Sequence, residues 1–285
     1  MVPLENQESQ RLLWIPASGA MMTTMGASHS LLKPEGLRSG QIHIWPVQLT
    51  AREAARERYW SFLCPAERDR ATRFQFPRLR DAFTLSRGAL RLLLGSYLRC
   101  LPEEVAFVYG EKGKPSLAGA SPVRFNTSHS GSIAVFAFAL QIELGVDVEQ
   151  LRPMDDLQGI SARFFSAPEI ADLESLGPGD RVAGFFRCWT RKEAYIKATG
   201  NGLSAPLDSF RVTLLPGQTP QLTELSPSPT QEIPWFLHNL DLAPGYAAAL
   251  AYQGEKHQIE SSGLLGAEQL FATFEAAGQW RVSGQ

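Results

Sequence analysis

Several short stretches of this chain combine residue types and spacings that can do chemistry. In Gly145-Val146-Asp147-Val148-Glu149 two carboxylates alternate with valines. Side chains on a strand repeat every two residues, so Asp147 and Glu149 share one side and the valines the other. Two carboxylates a few ångströms apart repel unless a cation lies between them. Oxygen-only ligands favour a hard ion such as Mg²⁺, which takes a few carboxylates together with substrate phosphates. An ordinary solvated strand face has the same alternation, and the pattern alone does not choose between the two.

A second stretch, Trp189 to Leu203, places a charge where an apolar residue is due. Asp180 follows a Pro178-Gly179 turn as an N-cap, and Gly200-Asn201-Gly202 ends a helix predicted over 180–199. Val182, Phe185, Phe186, Trp189 and Ile196 recur at helical spacing. Four residues beyond Trp189 the stripe reaches Glu193, and four further on Lys197. Charge on a core face is costly unless it is paired, solvated in a cleft or bound to metal. The competing reading is a shorter helix starting at Thr190, with Thr190-Arg191-Lys192-Glu193 as a capping box and Glu193 a mere cap.

Three further stretches supply candidate anion contacts. Gly113-Lys114-Pro115 is a turn whose backbone N–H groups and lysine suit a phosphate, or else a plain surface turn. Phe125 to Gly131 ends a strand in small polar residues. There Ser128 and His129 can donate to phosphate oxygens, and His129 can act as general acid or base or be a satisfied strand-end histidine. No G-x-S-x-G element supports a serine hydrolase. Arg68, Arg70, Arg73, Arg78, Arg80, Arg87 and Arg91 cluster on two predicted helices, diluted by Glu67, Asp69 and Asp81. Most belong to a solvated face, and a pair of them suits bidentate phosphate contacts. Taken together, three carboxylates (Asp147, Glu149, Glu193), Lys197 and the anion contacts make a kit for metal-assisted displacement at phosphorus.

The bulk properties narrow the class. The 285 residues, 44% hydrophobic and 20% charged, suit a soluble globular chain with a sizeable core. A net charge of −2 gives no basic field for nucleic acid. No apolar run has the length of a membrane span. Cys64, Cys100 and Cys188 are odd in number and far apart, which points to free thiols in a reducing cytoplasm. The five histidines show no zinc spacing.

The elements that must position these residues follow from periodicity and turn signals. Strands are expected at 41–49, 105–110, 123–130, 132–140, 142–151, 209–215, 235–242 and 246–252. Helices are expected at about 51–63, 65–74, 79–98, 155–163, 167–175, 180–199 and 265–276. Residues 111–122 read as a loop and 1–39 as a disordered extension. Each half then reads strand, helices, three strands. That order implies an α+β fold of two similar halves, 40–142 and 143–254, with mostly antiparallel sheets, a site between them and a tail over 255–285.

The motifs Gly113-Lys114-Pro115, Phe125–Gly131, Gly145–Glu149, Arg163–Glu169 and Trp189–Val212, in this order, resemble the 4′-phosphopantetheinyl transferases of the two-lobed surfactin-synthetase type. The resemblance covers roughly residues 41–252. It implies two α+β halves related by a pseudo-twofold axis, with coenzyme A and Mg²⁺ between them. The implied reaction moves phosphopantetheine to a serine of an acyl or peptidyl carrier protein, releasing 3′,5′-ADP. By this resemblance Asp147, Glu149 and Glu193 are the metal ligands, and Lys197 contacts the pyrophosphate. Ser128 and His129 contact phosphate, and Gly113, Lys114 and Pro115 lie beside the adenine. Arg87, then Arg80, are the choices for the 3′-phosphate. Glu193 would take the serine proton. A chain long enough for both halves implies a monomer. Two other classes stay open on the residues alone: another Mg²⁺-dependent nucleotidyl or phosphoryl transferase, and a non-catalytic interaction module.

Overall fold

The structure is a computed structural model and describes residues 32–33, 36–200, 206–224 and 233–276. The expectation of disorder over 1–39 falls almost wholly outside those residues. Within them, Leu32 is already buried in the core.

The first half opens with β1 (Gln41–Gln48), followed by α1 (Glu53–Ser61), α2 (Pro65–Thr72) and α3 (Pro77–Leu98). The short hairpin β2 (Phe107–Tyr109) and β3 (Pro115–Leu117) precedes β4 (Val123–Ser130) and β5 (Ile133–Leu140). The second half repeats the order with β6 (Leu144–Gln150), α4 (Leu157–Phe164), α5 (Ala167–Ser175) and α6 (Arg181–Thr199). The hairpin β7 (Phe210–Val212) and β8 (Leu222–Glu224) then precedes β9 (Trp235–Asn239) and β10 (Tyr246–Gln253). Pairing repeats as well: β1 pairs antiparallel with β5 and β5 with β4, just as β6 pairs with β10 and β10 with β9. The α+β architecture of two like halves is therefore observed in the topology.

Alternation builds three apolar layers from these sheets. Ile42 and Ile44 of β1, Val135 and Ala137 of β5, Val146 and Val148 of β6, and Leu250 of β10 meet in one core between the sheets. The opposite faces of β1 and β5, with Trp45, Phe136 and Phe138, pack under α3 with Leu92 and Leu93. The opposite face of β10, with Ala249 and Ala251, packs with Phe185, Phe186 and Ile196 of α6.

The segment after 254 differs from a tail. Its β11 (Gln258–Ser261) and β12 (Leu265–Gly266) pair parallel with β1, and α7 (Ala267–Ala276) buries Leu270 and Phe274 in the first core. The free edge of β1 is thus filled by backbone. The corresponding edge of β6 meets side chains of β4 instead: Asn126 Oδ1 accepts from Val146 N at 2.9 Å and Ser130 Oγ from Gln150 N at 3.1 Å.

Candidate functional site

The seam between β4, β6 and α6 gathers the acidic motifs. Helix α6 runs unbroken over 19 residues from Asp180 to the left-handed cap Gly200. Glu193 therefore lies deep in the helix, and the reading in which it caps a helix beginning at Thr190 does not hold. Arg191 and Lys192, beside it, are scaffolding. Arg191 donates to Thr213 O and to Asn239 Oδ1. Lys192 forms a fully buried ion pair with Glu169 at 2.8 Å and donates to Leu207 O and Phe210 O, each at 2.7 Å. Glu169 in turn accepts from Ser166 N and Val212 N. These bonds hold α5, α6 and the 207–213 segment as one body, so the helix face bearing Glu193 and Lys197 is fixed in place.

That face approaches β6 closely because position 145 is glycine. A Cβ there would stand 2.0 Å from Ala194 O and 2.4 Å from Ala198 N. The close crossing lets Lys197 reach β6. Its Nζ lies 2.6 Å from Asp147 Oδ1, 3.0 Å from Ser128 Oγ and 3.3 Å from Val146 O. Ser128 also donates to Asp147 Oδ1 at 2.7 Å. Glu149, two residues along the same face, accepts from Ser130 at 2.7 Å and has Arg152 at 3.5 Å. Asp147 and Glu149 are both buried, and Glu193, one turn before Lys197, is half-buried.

A hard cation fits this donor set in kind. Asp147 Oδ2 is buried and accepts no hydrogen bond, and an orphaned carboxylate oxygen is the group a divalent ion satisfies. Each carboxylate of β6 is otherwise engaged by its own hydroxyl and its own cationic side chain. Among the described residues no three acidic, histidine or cysteine side chains are drawn together as a ready metal cluster.

The other predicted residues are distributed around this centre. His129 follows Ser128 on a strand, so it looks away from β6 onto the opposite face, and it is exposed. The structure does not bring it to Asp147 and Lys197. Lys114, in the turn with Gly113 and Pro115, pairs with Glu143 at 2.8 Å, and Glu143 also takes Arg124 at 3.2 Å. Arg87 bonds Glu67 and donates to Tyr109 Oη at 2.8 Å, with its guanidinium 4.0 Å over the Phe107 ring. It thereby ties α3 to the hairpin that carries Gly113-Lys114-Pro115. Arg80 is exposed and only loosely paired with Asp81 at 3.8 Å. Arg91, which read as part of a solvated face, is buried against Glu67 and the carbonyls of Pro102 and Val105. Sequence reasoning missed Asn126 and Ser130. The signal was there: Asn126, Ser128 and Ser130 are every second residue of one strand.

Two α+β halves meet at an acidic seam into which Lys197 reaches. Comparison with known proteins identifies the family. Residues 143–251 match the 4′-phosphopantetheinyl transferase superfamily, and residues 51–141 match the family described as 4′-phosphopantetheinyl transferase, N-terminal. The 4′-phosphopantetheinyl transferase HetI of Nostoc sp. (strain PCC 7120) is 38% identical over 79% of this chain and 93% of its own. The 4′-phosphopantetheinyl transferase Sfp of Bacillus subtilis is 32% identical over 68% of this chain and 84% of its own. A holo-(acyl-carrier-protein) synthase structure from Bacillus anthracis covers 40% of this chain at 22% identity and a TM-score of 0.33, so it adds nothing to the fold or the site. The chain belongs to the 4′-phosphopantetheinyl transferase family and is an enzyme of that class.

Proposed function

We propose that the seam is the active site and that the enzyme moves the 4′-phosphopantetheine arm of coenzyme A onto a serine of an apo acyl or peptidyl carrier protein. The observation that carries this reading is the Lys197–Asp147–Ser128 cluster with an orphaned carboxylate oxygen at its centre. It lies on the residues the family resemblance marks.

Asp147, Glu149 and Glu193 would hold Mg²⁺. When bound, the ion supplies charge neutralisation and Lewis-acid polarisation at the diphosphate. Glu193 receives the proton of the carrier serine. The serine oxygen then forms its bond to the β-phosphorus of coenzyme A, and the bond from that phosphorus to the bridging oxygen breaks. The electron pair leaves on 3′,5′-ADP. Lys197 stabilises that charge and can protonate it. Ser128 donates to a diphosphate oxygen, and His129 to an outer phosphate. Arg87, with Arg80 as the second choice, contacts the 3′-phosphate, while Gly113, Lys114 and Pro115 flank the adenine. The tie between Arg87 and Tyr109 supports placing these two contacts together.

The carrier docks beside the cleft on the helices between 155 and 175, and the enzyme works as a monomer. Three free thiols favour the cytoplasm. Among the described residues, no helix is long and apolar enough to cross a membrane.

The test is 3′,5′-ADP release from coenzyme A in the presence of apo carrier protein. Release that needs the carrier and Mg²⁺, and that falls about a hundredfold or more in Asp147→Ala, is expected. Undiminished release by Asp147→Ala contradicts the site. Turnover of nucleoside triphosphates with none of coenzyme A would favour a different phosphoryl transferase.

A further inference from the structure

We infer that Lys197 is a built-in counter-ion, which occupies the Asp147 carboxylate in the resting protein and competes with a divalent cation for it. The inference rests on the seam being the metal site, as proposed above. It concerns what this lysine does before any substrate arrives.

A carboxylate as buried as Asp147 needs a cation or several donors close by. Oxygen Oδ1 has both, from Lys197 and Ser128, while Oδ2 has neither. An ammonium carries three protons, and Lys197 has three acceptors within reach: Asp147 Oδ1, Ser128 Oγ and Val146 O. All its donors are spoken for inside the seam. Service to a diphosphate therefore requires the ammonium to leave at least one of these partners. The side chain can do so. It is 29% exposed, against 6% for Asp147, on a flexible four-carbon stem.

The consequence is a competition. A divalent cation at Asp147 must either displace the ammonium or accept a like charge within a few ångströms. Lys197 thus keeps the empty site neutralised and folded, at the expense of cation affinity, and is freed for the diphosphate when the ion takes over. Arg152 stands in the same relation to Glu149, at the longer distance of 3.5 Å.

The experiment titrates the full chain with Mn²⁺ alone, without coenzyme A or carrier, and follows binding by electron paramagnetic resonance. Lys197→Met should bind Mn²⁺ roughly tenfold more tightly than wild type, because one positive charge beside the ligand is gone. Lys197→Arg, which keeps that charge, should stay within about twofold of wild type. Lys197→Gln drops the charge but keeps a donor for Asp147, and should show the same gain if the methionine variant does not fold. Thermal melts should show a larger Mn²⁺-induced rise in Tm for the uncharged variants. Uncharged variants that bind no more tightly than wild type overturn the competition and leave the metal site standing. No Mn²⁺ binding by any of the proteins overturns the site and the competition together.

Discussion

Gly145→Ala is the most local way to move α6 without touching any charged group. A Cβ at 145 would stand 2.0 Å from Ala194 O, 2.4 Å from Ala198 N and 2.9 Å from the Lys197 carbonyl carbon. All three are backbone atoms, so no side-chain rotation relieves them. Ordinary carbon–oxygen contacts are about 3.3–3.6 Å, and α6 must retreat from β6 by more than about 1 Å to restore one. Overpacking of this kind costs about 1–3 kcal/mol, at the upper end where backbone must move. That corresponds to a Tm lowered by roughly 3–10 °C in a domain of this size. The same retreat carries Glu193 and Lys197 away from Asp147 and Glu149, and an ångström of misplacement at a catalytic centre costs about a hundredfold in rate. The assays are a thermal melt and kcat/KM with coenzyme A and apo carrier protein. Gly184→Ala is the control on the same helix, since its new Cβ meets only methyl groups of Leu176 and Leu173 before reaching ordinary contact. It should cost less stability and little rate. Wild-type rate in Gly145→Ala, or equal losses in both variants, would refute the argument that close crossing at this glycine aligns the site.

Three further outcomes follow from the same structure. Lys192→Met leaves the Glu169 carboxylate buried without its cation and should destabilise the protein by about 3–5 kcal/mol in urea unfolding; a loss below about 1 kcal/mol would mean the pair is not a clamp. His43 is buried in the first core, where its Nδ1 lies 2.9 Å from Tyr97 Oη, which also accepts from Trp45, and burial lowers its pKa to about 4. The neutral ring is the folded form, so this stability is whole above pH 6.5 and is lost as pH falls towards 4; the difference is on the order of 2–4 kcal/mol. His43→Gln should flatten urea-measured stability over that window, and an unchanged slope would contradict it. Glu193→Gln should lower kcat by about a hundredfold or more if it receives the serine proton, and near-normal turnover would remove it from that role.

The outline of the fold was legible because two periodicities were clean. Period two placed Asp147 and Glu149 together and opposite Val146 and Val148, as observed. The helical stripe through Phe185, Phe186 and Trp189 made Glu193 conspicuous, because a charge there had to be explained. What stayed hidden depended on partners distant in sequence. Arg91 reads as part of a mostly solvated arginine face and Lys192 only as part of a capping-box pattern, since nothing local reveals that Glu67 and Glu169 will meet them inside. The strand Gln258–Ser261 has no apolar pattern, and its parallel partner β1 lies more than two hundred residues earlier. Ser130 and Asn126 are ordinary polar residues until β6 supplies the acid and the backbone N–H they serve. Gly145 is a loose position in a motif until a helix crosses it. Arg87 looked like a free phosphate contact, yet in the fold it also anchors Glu67 to the hairpin through Tyr109.

The most direct measurement is the intact mass of an apo acyl carrier protein after incubation with this enzyme, coenzyme A and Mg²⁺. A gain of one phosphopantetheine is expected, absent with chelator and absent with Asp147→Ala. An unchanged mass across several acyl and peptidyl carriers, from folded enzyme, would contradict the proposed reaction. A full gain with Asp147→Ala would contradict the seam as its site.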